Sequence, residues 1–167
     1  MNLYILRHGL AVDQGKKGIK NDQSRPLTPK GMRRLWQIAE AMEQMELSYD
    51  WIFSSPWLRA KQTAEIVAQA FELQKKIKLT EDLAPGGNPK NLIEQLNRLK
   101  PQPKNVLLVG HEPYLGRLVG LLASGNTGAA IDLKKGGLCK LEVENLHCGR
   151  CALLGWLLTP RQMSLMA

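Results

Sequence analysis

Cysteine is scarce in this chain, and long apolar segments are missing. The 167 residues include three cysteines, Cys139, Cys148 and Cys151, an odd number that does not suggest a disulfide framework. No apolar run approaches the about 20 residues that a membrane-spanning helix requires, so no membrane segment is predicted. The chain enters a strand-like stretch at once, without the basic and apolar regions of a signal peptide. We therefore expect a cytoplasmic protein.

Acidic residues are in the minority. The chain has 15 Asp and Glu residues against 23 Lys and Arg residues, a formal net charge of +8 that favours anionic partners. The basic residues are scattered in short pairs, such as Lys16-Lys17 and Lys134-Lys135. Nucleic-acid-binding domains usually have a clustered basic tract or stripe, so nucleic acid is not the expected partner.

A metal site is not predicted either. Cys148 and Cys151 form a CxxC pattern, but no second CxxC or HxxxH exists to complete a four-ligand zinc site. The pattern falls in a turn between two strand-like runs, whereas a thioredoxin-like motif opens a helix after a strand. We interpret the two thiols as residues of that turn, and any role for them stays open.

The apolar pattern predicts one α/β domain over residues 1–167. Short apolar runs alternate with segments whose apolar residues recur at helical spacing, which is typical of a three-layer α/β/α sandwich with a mainly parallel sheet. Leu138 to Val143 and Ala152 to Leu158 read as a hairpin that adds an antiparallel edge. Other strands are predicted at 2–6, 51–53, 77–79 and 106–109, and helices at 30–45, 57–71, 91–99 and 114–123.

Basic side chains follow three of these strands directly. Arg7-His8-Gly9 ends the first, Gly110-His111-Glu112-Pro113 ends a later one, and a third is followed by Arg59 in the first turn of a helix. The carboxyl ends of parallel strands meet at one crevice, where ligands bind. Two imidazoles and two guanidiniums there, without an obvious acidic partner, predict a pocket for phosphate.

A histidine in such a pocket can also react. Neutral imidazole is a competent nucleophile near pH 7, and the flanking cations neutralise the phosphoryl oxygens as charge shifts. His8 is the expected nucleophile, with one ring nitrogen held by a backbone carbonyl near Gly9. Gly9 lets the backbone approach the phosphate, and Ser54 or Ser55 is expected to cap the helix that carries Arg59.

The same residues carry a resemblance to the histidine phosphatase superfamily, which includes the phosphoglycerate mutases. "LRHG", "SSPWLRAKQTAE" and "VGHEP" resemble that family, and "SRPLTPKG", "LAPGGNP" and "WLLTP" narrow the likeness to its SixA branch. The resemblance implies a phosphorylated His8, with Arg7, Arg59 and His111 as phosphate ligands and no metal or organic cofactor. It implies a phosphohistidine phosphatase whose partner is a phosphorylated protein, such as a histidine-phosphotransfer domain. The loop from Asp13 to Pro29 is the expected docking surface.

Three further residues are candidate substrate ligands: Gly9, Arg25 and Glu112. Arg25 either lines the mouth of the pocket or pairs with a carboxylate, and both readings stay open. Glu112 directly follows His111, and we expect it at the surface or at a helix start rather than as a catalytic acid.

The sequence departs from the phosphoester-cleaving members of that family in one place. Those members carry a carboxylic acid in a loop midway along the chain, but here Glu81 and Asp82 precede the loop and the loop itself has no acid. An alkoxide leaving group gains about 100-fold to 10,000-fold from such an acid, whereas a phosphoramidate breaks more readily. The alternatives are a small-molecule phosphomonoesterase that uses Glu81 or Asp82, and a phosphoprotein-binding module without catalysis.

Overall fold

One sheet forms the centre of the computed structural model, which describes residues 1–15 and 18–167. Within those residues its strands lie in the order β3-β2-β4-β1-β5-β6. The neighbours from β3 to β1 pair in parallel, and β5 and β6 pair antiparallel at one edge. The strands are β1 (Asn2–Arg7), β2 (Trp51–Ser54), β3 (Ile77–Leu79), β4 (Asn105–Gly110), β5 (Leu138–Val143) and β6 (Ala152–Leu158).

Helices cover both faces of this sheet. In β1, Leu3 and Ile5 belong to the core under α3 and α4, whereas Tyr4 and Leu6 belong to the core under α1 and α2. The three-layer α/β/α sandwich with an antiparallel edge is therefore confirmed. The helices are α1 (Pro29–Gln44), α2 (Leu58–Ala70), α3 (Pro89–Asn97), α4 (Tyr114–Ser124) and α5 (Pro160–Met163), with 3-10 turns at Asp22–Ser24, Gln74–Lys76 and Glu81–Leu83.

Helices α1, α3 and α5 begin with the same local signal, a polar cap followed by proline. Thr28 precedes Pro29 at the start of α1, and its hydroxyl accepts a hydrogen bond from the backbone N–H of Gly31. Asn88 precedes Pro89 at the start of α3, and its side chain accepts from the N–H of Lys90. A polar cap followed by proline fixes the first turn of each helix, because proline needs no hydrogen-bond acceptor there. For α3 this signal places the start before the predicted Asn91.

The register of the parallel strands aligns their carboxyl ends. Arg7 of β1 lies opposite Gly110 of β4, and Ser54 of β2 lies opposite Val109. The residues that follow, His8, Ser55 and His111, therefore emerge side by side at one edge of the sheet. In the described part of the chain no helix has the length and apolar character of a membrane span.

Candidate active site

His8 is fixed as a neutral imidazole at the end of β1. Its Nδ1–H donates to the carbonyl oxygen of Gly9 at 2.7 Å, which confirms the expected hydrogen bond. The other ring nitrogen, Nε2, accepts from Nε of Arg59 at 3.2 Å. Burial lowers the pKa of His8 to about 3, and the charges of Arg59 and Arg7 act in the same direction. Nε2 therefore keeps its lone pair at neutral pH.

Arg59 is held beside that nitrogen from two sides. It lies in the first turn of α2, its side chain is buried, and the Trp57 ring packs on it with 5.0 Å from Cζ to the ring centroid. Its Nη1 donates to the backbone carbonyl of Asp22 at 2.7 Å, and its Nη2 donates to the Asp22 carboxylate at 3.0 Å. The expectation of a pocket without an acidic partner is therefore wrong.

Asp22 joins Arg59 to Arg25. Nε of Arg25 donates to the second carboxylate oxygen of Asp22 at 2.6 Å, and its Nη1 donates to the carbonyl of Val12. Burial opposes ionisation of Asp22, but the charge and hydrogen bonds of the two arginines outweigh it and hold the pKa of Asp22 below its ordinary value. Arg25 thus pairs with a carboxylate, and its charge also reaches His111, whose pKa it helps to lower.

His111 faces His8 across the crevice. The two imidazole centroids are 5.0 Å apart, and Nε2 of His111 is 2.9 Å from the Ser55 hydroxyl. Burial, followed by the charges around it, lowers the pKa of His111 to about 2, so this ring is also neutral. Nδ1 of His111 is buried and has no hydrogen-bond partner among the described residues.

Ser55 has a different role from the expected helix cap. Neither Ser54 nor Ser55 caps α2, because Trp57 is the N-cap residue and makes no side-chain cap bond. The Ser54 hydroxyl donates to the carbonyl of Ser55, and the Ser55 hydroxyl accepts from the N–H of Trp57 while it contacts His111. The two serines form the turn after β2, and Ser55 contacts the imidazole of His111. The position of the serines after a strand does not predict this contact.

Arg7 is oriented by a loop that Glu112 holds. Nη1 of Arg7 donates to the carbonyl of Leu133 at 2.6 Å, and the N–H of Leu133 donates to one carboxylate oxygen of Glu112 at 3.0 Å. The other oxygen of Glu112 accepts from the N–H of Gly116. Nε of Arg7 is buried without a partner in the described part of the chain. Glu112 therefore positions Arg7 through Leu133.

Gly9 is glycine because of packing. A Cβ there would lie 2.6 Å from Cδ1 of Leu35, a buried residue of α1. The Gly9 N–H donates to the Thr63 hydroxyl, which donates in turn to the carbonyl of Arg59. Both backbone polar groups of Gly9 are thus used within the protein, and the residue ties the end of β1 to α1 and α2. The expected close approach of the Gly9 backbone to phosphate stays a prediction.

The two carboxylates near the middle of the chain are placed differently. Asp82 accepts hydrogen bonds from the Gln95 side chain at 2.6 Å and from the N–H of Asn88. Glu81 is exposed, and the described residues form no ion pair or side-chain hydrogen bond with it. Neither contacts His8 or His111 within hydrogen-bond distance in the structure.

The CxxC lies at the other end of the sheet. It falls in the turn between β5 and β6, as predicted, and Cys148 and Cys151 are free thiols. Cys148 and His147 are exposed. Residues 1–15 and 18–167 contain no group of three or more His, Cys, Asp or Glu side chains arranged to hold a metal ion.

Sequence reasoning missed Asp22, Trp57 and Thr63. Asp22 lies 37 residues from Arg59 in a loop without periodicity, so only the folded chain shows the contact. Trp57 belongs to the motif that carries Arg59. Its packing on Arg59 and His111 could be recognised only from the three-dimensional structure. Thr63 follows Arg59 by one helical turn, which is the one local signal that it could reach the same site.

Two neutral imidazoles and two buried or half-buried guanidiniums at the ends of parallel strands define a protein of the phosphoryl-transfer class. A family model of the histidine phosphatase superfamily (branch 1) matches residues 3–84, which include Arg7, His8 and Arg59. The chain is 40% identical over 143 residues to an uncharacterized protein of Picosynechococcus sp., with 85% of each chain covered. It is 34% identical over 130 residues to the phosphohistidine phosphatase SixA homolog of Haemophilus influenzae, covering 73% of this chain and 77% of that one.

A solved structure shows the same fold. The protein histidine phosphatase SixA complexed with tungstate superposes with a TM-score of 0.82 at 25% identity, covering 96% of this chain and 98% of that chain. The chain belongs to the histidine phosphatase superfamily, and within it resembles SixA. It is therefore a member of a family of phosphatases.

Proposed function

We propose that this protein hydrolyses phosphohistidine on a protein substrate through a phosphorylated His8. The observation that carries the proposal is the state of His8: its proton is held on Nδ1 by Gly9, and its free Nε2 lies next to Arg59. The names of the SixA relatives support the substrate class, since they are described as phosphohistidine or protein histidine phosphatases.

The first step transfers the phosphoryl group between two imidazoles. The lone pair on Nε2 of His8 forms a bond to phosphorus, and the P–N bond of the substrate breaks with its electron pair going to the substrate nitrogen. If the distal nitrogen of the substrate ring carries a proton, that ring leaves as neutral imidazole and no proton transfer is needed. Arg7, Arg59 and His111 are the proposed ligands of the phosphoryl oxygens in this step.

The second step returns His8 to its starting state. Water forms a bond to phosphorus, the P–N bond to Nε2 breaks, and its electron pair returns to Nε2. Both protons of the water molecule leave with the phosphate. The hydrogen bond from Nδ1–H to Gly9 keeps the phosphorylated ring protonated at its distal nitrogen, so His8 also departs from phosphorus as a neutral ring.

Among the described residues no carboxylate contacts His8, which favours phosphohistidine over phosphoesters. An alkoxide leaving group needs a proton, and the carboxylate bound to Arg59, that of Asp22, is held ionised by Arg59 and Arg25. A phosphomonoesterase would have to bring Glu81 or Asp82 to the leaving group, and Asp82 is already bound by Gln95. The phosphomonoesterase and the non-catalytic module are therefore the alternatives that the experiment must separate.

The test compares His8→Ala with His147→Ala, an exposed histidine in the β5–β6 turn. The proteins are mixed with a radiolabelled phosphohistidine peptide, a phosphoserine peptide or a sugar phosphate, and are then quenched. We expect turnover of phosphohistidine well above the esters and a transient acid-labile label, both lost in His8→Ala and kept in His147→Ala. Dominant ester turnover would favour the phosphomonoesterase, and binding of the phosphopeptide without label or turnover would favour the module.

A further inference from the structure

A second basic feature adjoins the crevice and shares only Arg7 with the proposed chemistry. It is a cavity of about 620 Å³. In the part of the chain that the structure describes, its lining holds cationic side chains and no carboxylate. The cations are Arg7, Lys30, Arg34, Lys134, Lys135 and Arg161. We name this feature the basic cavity.

Four separate segments bring these cations together. Arg7 ends β1, Lys30 and Arg34 lie one turn apart on α1, Lys134 and Lys135 lie in the turn before β5, and Arg161 lies on α5. Except for Arg7, all of these side chains belong to exposed residues. Asp132 pairs with Lys134 and lies 3.8 Å from Arg7. Among residues 1–15 and 18–167, the other four cations have no ion-pair partner.

The backbone fixes the basic cavity beside the nucleophile. The N–H of Gly136 donates to the carbonyls of Arg7 and His8, and the N–H of Arg7 donates to the carbonyl of Gly137. Gly136 has φ of +82°, a conformation that suits glycine and turns Lys134 and Lys135 toward this edge. The charge of Lys135 contributes to lowering the pKa of His8.

The start of α1 is fixed in the same way. A Cβ on Gly31 would overlap the carbonyl oxygen of Leu10, so the first turn of α1 packs directly against the segment after Gly9. Leu10 itself lines the basic cavity, as does Pro160. Lys30 and Arg34 therefore sit at a set position relative to His8.

We propose that the basic cavity docks an acidic protein surface that flanks the phosphohistidine of the substrate. This rests on the proposed function, because it assigns the partner surface of that same site. All of these cations except Arg7 are exposed, and exposed charges suit the steering of a charged partner. The exposed Leu10 gives a protein side chain an apolar contact that a polyphosphate would not use.

The charge-reversal variant for the test is Lys30→Glu/Arg34→Glu. Both residues are exposed, and glutamate at position 30, in the first turn of α1, is compatible with the helix dipole. The matched control is Lys100→Glu/Lys104→Glu, which makes the same change in net charge. Lys100 and Lys104 are exposed residues before β4, at the opposite end of the strand from His111.

The readout is a preference between two phosphohistidine peptides of equal length. One has Asp and Glu on both sides of the phosphohistidine, and the other has Ser and Gly. We expect kcat/KM at low salt to be about tenfold or more higher for the acidic peptide. This preference should vanish near 0.5 M salt, where the screening length falls to about 4 Å. It should also vanish in Lys30→Glu/Arg34→Glu and persist in Lys100→Glu/Lys104→Glu.

Equal rates for the two peptides, or the same loss in both double variants, would overturn the docking proposal. Fluorescence anisotropy with the unphosphorylated peptides separates this outcome from failure of the proposed function. An acidic peptide that binds in a Lys30- and Arg34-dependent way, but is not dephosphorylated when phosphorylated, would refute the function and keep the docking site. Binding of tripolyphosphate without binding of the acidic peptide would assign the basic cavity to a phosphate-rich small molecule and refute the protein partner.

Discussion

At the scale of single residues, Asp22 makes the largest difference between the predicted site and the site in the structure. The sequence predicts four basic groups around an anion, and the structure adds an ionised carboxylate bound to one of them. An arriving phosphoryl group must share Arg59 with that carboxylate. Asp22 therefore opposes anion binding while it holds the guanidinium in place.

Replacement of Asp22 by Asn should strengthen binding of a tetrahedral oxyanion. Removing one negative charge near the site is worth about 1 kcal/mol with water-like screening, or about fivefold in affinity. The measurement is the inhibition constant of tungstate, with Glu40→Gln on the exposed part of α1 as the control for net charge. Unchanged or weaker inhibition in Asp22→Asn would show that Asp22 acts only as a support for Arg59.

At the scale of elements, the catalytic groups depend on connections that run between strand ends. Glu112 at the start of α4 binds the N–H of Leu133, and the carbonyl of Leu133 orients Arg7. The described contacts thus form a chain from α4 to β1 through the loop before β5. This chain links the carboxylate next to His111 to the orientation of Arg7.

Glu112→Ala should displace the Arg7 side chain more than Glu112→Gln does. Gln keeps one acceptor oxygen for the two N–H donors, and Ala keeps none. A displaced Arg7 should lower kcat/KM about tenfold to a hundredfold in Glu112→Ala, with a smaller loss in Glu112→Gln. Steady-state kinetics on a phosphohistidine peptide check this, with Glu94→Gln on the exposed face of α3 as the control. A loss of stability with unchanged kcat/KM in the folded fraction would contradict the positioning role.

The elements also show what the sequence could reveal. Val106 to Val109 is an unbroken apolar run and becomes the buried strand β4, and the apolar period from Leu35 to Met42 becomes the buried face of α1. The helix α5 was not predicted, because Pro160–Met163 is too short to show a period. Its cap, Thr159 with Gln162, is a local signal that could have indicated it.

At the scale of the whole molecule, the convergence of distant residues follows from strand order. Alternating helices and strands predicted parallel strands with aligned ends, and hence a shared crevice for His8, Arg59 and His111. The alternation of helices and strands does not predict the order of the strands in the sheet, because that order depends on how the crossover connections pack. The hydrogen bond between Asp22 and Arg59 and the basic cavity arise from loops and helix ends that have no periodic pattern, so they required the structure.

Two buried neutral histidines should make the stability of the whole protein depend on pH. An unfolded histidine has a pKa of about 6.5, whereas burial lowers the pKa of His8 to about 3 and that of His111 to about 2. Below pH 6.5 the unfolded chain therefore binds protons that the folded chain does not, and the free energy of unfolding falls as the pH falls. Above pH 6.5 both states are neutral at these residues and the effect is absent. Between pH 7 and 5 each histidine should lower the free energy of unfolding by about 2 kcal/mol.

Urea unfolding at pH 7, 6 and 5 measures this loss. We expect the decrease in the free energy of unfolding from pH 7 to pH 5 to be about 2 kcal/mol smaller in His111→Asn. This variant lacks one of the two buried histidines that gain a proton on unfolding. His147→Asn, which changes an exposed histidine at the other end of the sheet, is the matched control and should retain the full decrease. If His111→Asn showed the same pH dependence as the wild type, His111 would bind protons equally in the folded and unfolded proteins. The lowered pKa of His111 in the folded protein would then be refuted.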